Sequence, residues 1–118
     1  MSNTYLDSVI SWIKGAIAHI KNLVKRFIEG CLQFFKDVVN WFKSLKLVQG
    51  VDIPFIANAN SKEFQQMLNQ APVKNVGIFQ GVYNEETGEI THHEYIEADS
   101  VDEQTYETLK GEPIVVLS

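Results

Sequence analysis

The sequence contains a single cysteine, Cys31, and no continuous apolar run of the length that membrane-spanning helices need. One cysteine excludes an intrachain disulfide and any metal cluster built on several thiolates. A helix that crosses a bilayer takes about 20 consecutive apolar residues. The first residues also lack the basic region, short apolar core and cleavage site of a secretory signal. The sequence therefore predicts a cytoplasmic protein, with a peripheral membrane location as the alternative.

Basic residues are scarce in the second part of the chain. Residues 49–118 contain three Lys/Arg and twelve Asp/Glu, a net charge of −9, whereas residues 1–48 contain seven and three, a net charge of +4. Nucleic-acid binding needs Lys and Arg to neutralise phosphates, so we expect no nucleic acid on the acidic part. A basic segment beside an acidic one indicates an anionic surface or an acidic partner for the basic segment.

Patterns of catalytic and metal-binding residues are also missing. His92, His93 and Glu94 are adjacent, but successive strand residues point to opposite faces, so His92 shares a face with Glu94 and His93 shares the other with Tyr95. A zinc site takes three or four ligands, and no spacing here suggests a nucleophile with its base. We therefore predict no enzyme, no catalytic residues, no metal and no cofactor. These histidines are expected to have a structural or solvent-facing role, with weak metal binding or pH sensing as the alternative.

What the sequence does contain is a long apolar stripe in its first third. From about Thr4 to Val48, apolar residues recur at the three- and four-residue spacing of an amphipathic helix, and Cys31 lies among them as a predicted buried thiol. Gly30 is the obvious place for a kink or a hairpin turn, but the periodicity continues through it. This favours one continuous helix, which would be about 65 Å long at a rise of 1.5 Å per residue.

The remaining residues carry short, alternating strand and helix signals. Strands are predicted at 51–57, 73–83, 90–98 and 112–117, helices at 62–70 and 101–110, and a hairpin turn at 84–89 that includes Gly88. Gly77 and Gly81 indicate a bulge or a close approach of another backbone. The order β-α-β-β-α-β is that of a ferredoxin-like domain. The predicted fold class is α+β, with a helical arm at 1–49 followed by a small acidic α/β domain at 50–118.

The apolar stripe predicts that the long helix packs against another surface along its length. A domain formed by the last 70 residues is only about 25 Å across, so about half of a 65 Å helix would remain uncovered. Another copy of the same helix is the simplest cover. The leading hypothesis is a non-enzymatic, self-assembling scaffold protein, a homo-oligomer whose main partner is itself. The residues predicted for the oligomer interface are Ile13, Ile17, Ile20, Phe27, Phe34, Val38 and Trp41.

The alternative hypothesis is a peripheral membrane protein whose basic amphipathic helix lies on anionic lipid. Lysines beside an apolar face lay their stems along it and keep the ammonium group at the lipid headgroups. The residues predicted to face the membrane are Trp12, Lys14, Lys21, Lys25, Phe35, Phe42, Lys43 and Lys46. Two further alternatives remain open at this point: docking of the helix in a groove of a different protein, and a helical hairpin folded onto the chain's own acidic domain.

Overall fold

The computed structural model describes residues 4–20, 22–23, 25–68, 75–110 and 112–117. In chain order they form α1 (Thr4–Ile17), β1 (Lys25–Leu32), a π-helix (Phe34–Val39), α2 (Asn40–Lys43), β2 (Asp52–Asn58), α3 (Lys62–Leu68), β3 (Val76–Asn84), β4 (Glu89–Val101), α4 (Glu103–Leu109) and β5 (Ile114–Val116). The fold is therefore mixed α+β, as predicted.

The strands form one five-stranded sheet in the order β1-β4-β3-β2-β5. β1 runs parallel to β4, whereas the β4–β3, β3–β2 and β2–β5 pairs are antiparallel. The β3–β4 hairpin turns through Gly88, whose φ of 73° is the left-handed conformation predicted for it. The sheet thus combines β1, from the first third of the chain, with four strands from residues 50–118.

Apolar side chains cover both faces of the sheet, so the molecule has three layers. On the first face, Val9, Ile13 and Ile17 of α1 pack with Phe64 of α3 on the sheet residue Phe79. On the second face, the π-helix, α2 and α4 pack on the sheet through Val38, Phe42 and Leu109. A sheet with both faces covered needs strands that are apolar on both sides. The central strand β3 meets this requirement, since seven of its nine residues are buried.

The single helix predicted from Thr4 to Val48 is not confirmed: α1 has 14 residues and ends at Ile17. After it the chain makes tight turns, in which His19 N–H donates to the Ala16 carbonyl and Ile20 N–H to the Ile17 carbonyl. Gly30 has a φ of 101°, which a right-handed helix does not allow. Pairing of β1 with β4 supplies the backbone hydrogen bonds that a continuous helix would have made internally.

The predicted order of elements in residues 50–118 is present, but the ferredoxin-like arrangement of the strands is not. In this sheet β2 and β3 are neighbours and antiparallel, although α3 connects them. A split βαβ unit would place the two strands on either side of a helix parallel to each other, with another strand between them. The predicted helix end at residues 69–70 and strand start at 73–74 lie outside the described residues.

Candidate functional site

Strand β1 forms one edge of the sheet and is unusually exposed. Its burial is intermediate only at Ile28 and complete only at Leu32, and the aromatic ring of Phe27 is 62 % exposed. β4 lies along one side of β1, and among the described residues no strand lies along the other. An edge strand presents unpaired N–H and C=O groups, which makes it a template for pairing with another chain. β1 is therefore the first candidate for a functional surface.

The register with β4 determines which β1 side chains share a face. Lys25 lies opposite Tyr95 and Phe27 opposite Glu97. Because side chains alternate along a strand, Lys25 and Phe27 project on one face, and Arg26 and Ile28 project on the other. Continued alternation would place Glu29 on the face of Phe27. The register then shifts between Ile28 and Cys31, where Gly30 N–H donates to the Asp99 carboxylate at 2.8 Å. The regular pairing of β1 with β4 therefore ends at Ile28, and Glu29 and Gly30 form a bulge of the kind common at sheet edges.

The Lys25 ammonium group lies over the ring of Tyr95, with Nζ 5.7 Å from the ring centroid. Tyr95 itself is buried in the first core. Burial, with a smaller contribution from the negative charge of Glu97, raises the pKa of the Tyr95 phenol to about 12. Lys25, which shares a face of β1 with Phe27, thus lies over a tyrosine that stays neutral well into the alkaline range.

This pKa predicts a loss of stability at high pH. The folded protein holds the Tyr95 proton up to about pH 12, whereas the unfolded chain releases it near the ordinary value of 10.0. The stabilisation is complete below pH 10.0 and disappears as the pH rises to about 12. Chemical unfolding between these pH values should show the decline, and Tyr95→Phe should make it shallower. An equal decline in both proteins would contradict the prediction.

On its other face, β1 is tied to the sheet by a cluster of polar side chains. The Arg26 guanidinium lies 3.1 Å from a carboxylate oxygen of Glu94 on β4 and 4.0 Å from one of Asp37 on the π-helix. The buried Gln80 amide donates to the same Glu94 oxygen at 3.2 Å and to the Asp37 backbone carbonyl at 3.4 Å. The cluster connects β1, β3, β4 and the π-helix. It fixes the orientation of β1 and leaves its Phe27 face open.

The residues predicted for the oligomer interface lie in three different environments. Ile13, Ile17 and Val38 are completely buried in the chain's own two cores, and Phe34 is 9 % exposed. Ile20 and Trp41 are partly buried against the first and second core, respectively. Phe27 alone of the seven is exposed. Most of the predicted interface therefore packs within the chain.

The residues predicted to face a membrane lie on four separate elements. Trp12 on α1 and Phe35 on the π-helix are 46 % and 66 % exposed, and Lys25, Lys43 and Lys46 are exposed as well. Lys14, in contrast, forms an ion pair with Glu63, and Phe42 is buried in the second core. Lys21 lies outside the described residues. These side chains do not form the continuous helix edge that the sequence predicts.

His92 and His93 lie on β4, and Cys31 lies on β1. His93 stacks on Phe79 with ring centroids 5.7 Å apart, and its Nε2 lies 3.1 Å from the Asn22 carbonyl oxygen. His92 projects on the opposite face of β4 and is exposed. Cys31 is exposed rather than buried, because it lies on the edge strand and not on a helix stripe. Among the described residues, no group of three or more metal-ligating side chains occurs.

A cleft of about 730 Å³ lies between the end of α1 and the β3–β4 hairpin. Its lining includes His19, His93 and Glu89, which are residue types that act in acid–base catalysis. The contacts of His93 with Phe79 and with the Asn22 carbonyl give it a packing role that connects β4 to the segment after α1.

Comparison with protein-family models, with curated proteins and with solved structures finds no match. In the part of the chain that the structure describes, none of the helices combines the length and the apolar character that crossing a membrane requires. The geometry of the chain is therefore the basis for a functional proposal.

Proposed function

We propose that this is a non-enzymatic protein that associates with itself by pairing the edges of two β1 strands. The observation that supports this proposal is the order of residues along β1. Lys25-Arg26-Phe27-Ile28-Glu29 is self-complementary when two copies run antiparallel and are centred on Phe27. Each Lys25 then lies opposite Glu29 of the other copy, and the two Phe27 rings lie opposite each other. Opposite charges and aromatic pairs at such cross-strand positions each contribute roughly 0.2–1 kcal/mol.

Two features of β1 restrict the register in which two copies can pair. Moving it by one residue would place apolar and charged side chains on mismatched faces, because side chains alternate along a strand. The bulge formed by Glu29 and Gly30 ends the regular part of β1, so the pairing of two copies does not extend beyond Glu29. Two copies would thus form a continuous ten-stranded sheet with a two-fold axis beside Phe27, which is the isologous type of interface.

The proposed interface is small. Stable dimers bury a total of about 1,200–2,000 Å², and five paired residues on each side bury less. We therefore expect a reversible dimer whose population falls on dilution. The proposed β1 dimer differs from the oligomer predicted from the sequence, which associates through the apolar stripe. Most residues of that stripe are buried or partly buried within each copy. Phe27 is exposed, and among the described residues no strand covers the outer edge of β1.

Replacing Phe27 by lysine should weaken the dimer by about tenfold or more in dissociation constant, because the aromatic pair is replaced by two like charges. Glu97 lies opposite Phe27 within the same copy, so a lysine at this position is compatible with the fold. Light scattering across a dilution series measures the mass, and circular dichroism checks the fold.

Phe35→Lys is the matched control, because Phe35 is just as exposed but lies on the π-helix. Its dilution curve should coincide with that of the unmodified protein. A Phe27→Lys protein that dimerises normally would exclude the β1 interface. If the unmodified protein were monomeric and instead bound anionic vesicles through Trp12 and Phe35, the membrane hypothesis would replace self-association.

A further inference from the structure

The opposite edge of the sheet, formed by β5, also directs backbone groups away from its neighbouring strand. Asn58 N–H donates to the Pro113 carbonyl and Leu117 N–H to the Pro54 carbonyl, so residues 113, 115 and 117 direct their polar groups toward β2. In an antiparallel pair these groups alternate in direction along the strand. The N–H and C=O groups of Ile114 and Val116 therefore point away from the sheet, and no strand among the described residues receives them.

Two clefts flank this edge, and they open on opposite faces of the sheet. One, of about 580 Å³, is lined by Phe34 and Phe42 from the second core, and the other, of about 270 Å³, is lined by Leu6 and Val9 of α1. Both clefts are also lined by Pro54, Val116 and Leu117. The lining of both is predominantly apolar. A strand laid along β5 would direct alternate side chains toward one cleft and then toward the other.

The larger cleft has a positive rim. Among the described residues of its lining, the charged ones are Lys43 and Lys46, and none carries a carboxylate side chain. Lys46 has a φ of 51°, a left-handed conformation that is unfavourable for a residue with a Cβ atom. Lys46 follows α2 in the chain and lines the cleft together with Lys43. A ligand with negative charge on this side would meet both ammonium groups.

We propose that the β5 edge binds an extended peptide segment of a partner by strand addition, with apolar residues at alternate positions and carboxylates on the side of Lys43 and Lys46. The free backbone groups of Ile114 and Val116 provide affinity, and the two clefts provide selectivity, as in other strand-addition complexes. A peptide accounts for the observations better than a small amphiphile does, because only a strand occupies both faces and satisfies the backbone groups between them.

The probe is the peptide acetyl-Glu-Val-Phe-Val-Glu-amide, which presents glutamates and phenylalanine on one face and valines on the other in either chain direction. Titrated into the isotope-labelled protein, it should shift the amide resonances of residues 114–117 in NMR spectra. The matched control peptide replaces both glutamates by lysine and should bind more weakly. Lys43→Gln combined with Lys46→Gln should weaken binding of the acidic peptide about fivefold and leave the control peptide less affected.

Val116→Pro tests the strand addition directly. The Val116 N–H points outward, so proline removes a donor to the peptide without removing a bond to β2. This protein should fold and lose peptide binding, while its dimerisation through β1 remains unchanged. Should the variant fail to fold, peptides N-methylated at alternate amides test the same bonds, and one of the two methylation patterns should abolish binding.

Three results would overturn the proposal. The first is resonance shifts confined to other parts of the chain. The second is equal binding of the acidic and basic peptides. The third is full binding of both N-methylated peptides. Loss of the dimer in Val116→Pro would instead show that the copies pair through β5, which would contradict both the peptide site and the β1 interface.

Discussion

Replacing Ile13 by alanine is expected to lower the free energy of unfolding by about 2–5 kcal/mol, because it leaves a cavity in the first core. The Ile13 side chain is completely buried between α1 and the sheet. A loss of this size is a large part of the 5–15 kcal/mol that typically stabilises a small domain. Urea unfolding followed by circular dichroism measures it. Ile13→Val, with an expected loss of about 0.5–1.5 kcal/mol, keeps the measurement possible if the alanine protein is unfolded.

The same substitution separates a core role from an interface role. Trp12→Ala, one position earlier on the exposed side of α1, is the control and should cost about 1 kcal/mol or less. If Ile13 packs only within its own chain, Ile13→Ala loses the same free energy of unfolding at every protein concentration. The mass of the dimer is then unchanged. If Ile13→Ala instead abolished the dimer and left a stable monomer, α1 would belong to an interface between copies.

Replacing Gly81 by alanine is the second substitution with a large expected effect. A Cβ atom at this position would lie 2.9 Å from Cζ of Phe55 and 3.0 Å from the backbone carbonyl oxygen of His92. The ring of Phe55 can move only by disturbing the first core, and the His92 carbonyl is fixed in the sheet. Overpacking of this kind typically costs 1–3 kcal/mol, so we expect a loss of about that size in urea unfolding.

Gly15→Ala is the matched control, and its effect should have the opposite sign. Gly15 lies in α1, and nothing lies within 4 Å of a Cβ atom added there. Alanine should therefore raise the free energy of unfolding by about 0.4–1 kcal/mol, since it restricts the unfolded chain and favours the helix. Two glycine-to-alanine substitutions with effects of the same sign would contradict the environments assigned to these positions.

Much of the second part of the chain can be predicted from local sequence signals. The turn around Gly88 and the apolar runs on either side of it define the β3–β4 hairpin. Of the two alternatives that the sequence leaves open at Gly81, a bulge or a close approach, the structure has a close approach. These features depend on neighbouring residues and on turn chemistry. The pairing of strands does not. A connection through α3 allows β2 and β3 to be either parallel or antiparallel. The order of elements along the chain therefore does not predict the order of strands in the sheet.

The first third shows why apolar spacing alone is ambiguous. Val9, Ile13 and Ile17 follow the spacing of a helix, and α1 forms there. The same spacing continues through Phe27, Ile28 and Cys31, but these residues form β1, because pairing with β4 provides backbone bonds over a large sequence separation. The signals that favour a strand are the branched and aromatic pair Phe27-Ile28 and the glycine that follows it.

The candidate surface could be predicted only in part. The sequence predicts Phe27 in an oligomer interface and Lys25 beside a membrane, but both as parts of a helix. Lys25 and Phe27 belong to the proposed β1 interface because they face the same side of an edge strand. Glu29 is the third residue of that proposed interface. The helical pattern does not identify Glu29, because Lys25, Phe27 and Glu29 do not share one face of a helix.

The most direct test of self-association through β1 is a charge-reversal series measured by light scattering across dilution. Lys25→Glu and Glu29→Lys should each weaken the dimer, because each creates two pairs of like charges across the two-fold axis. The protein with both changes restores opposite charges at every pair and should dimerise nearly as well as the unmodified protein. If the single substitutions had no effect, or if the double substitution were weaker than both, the antiparallel β1 pairing centred on Phe27 would be wrong.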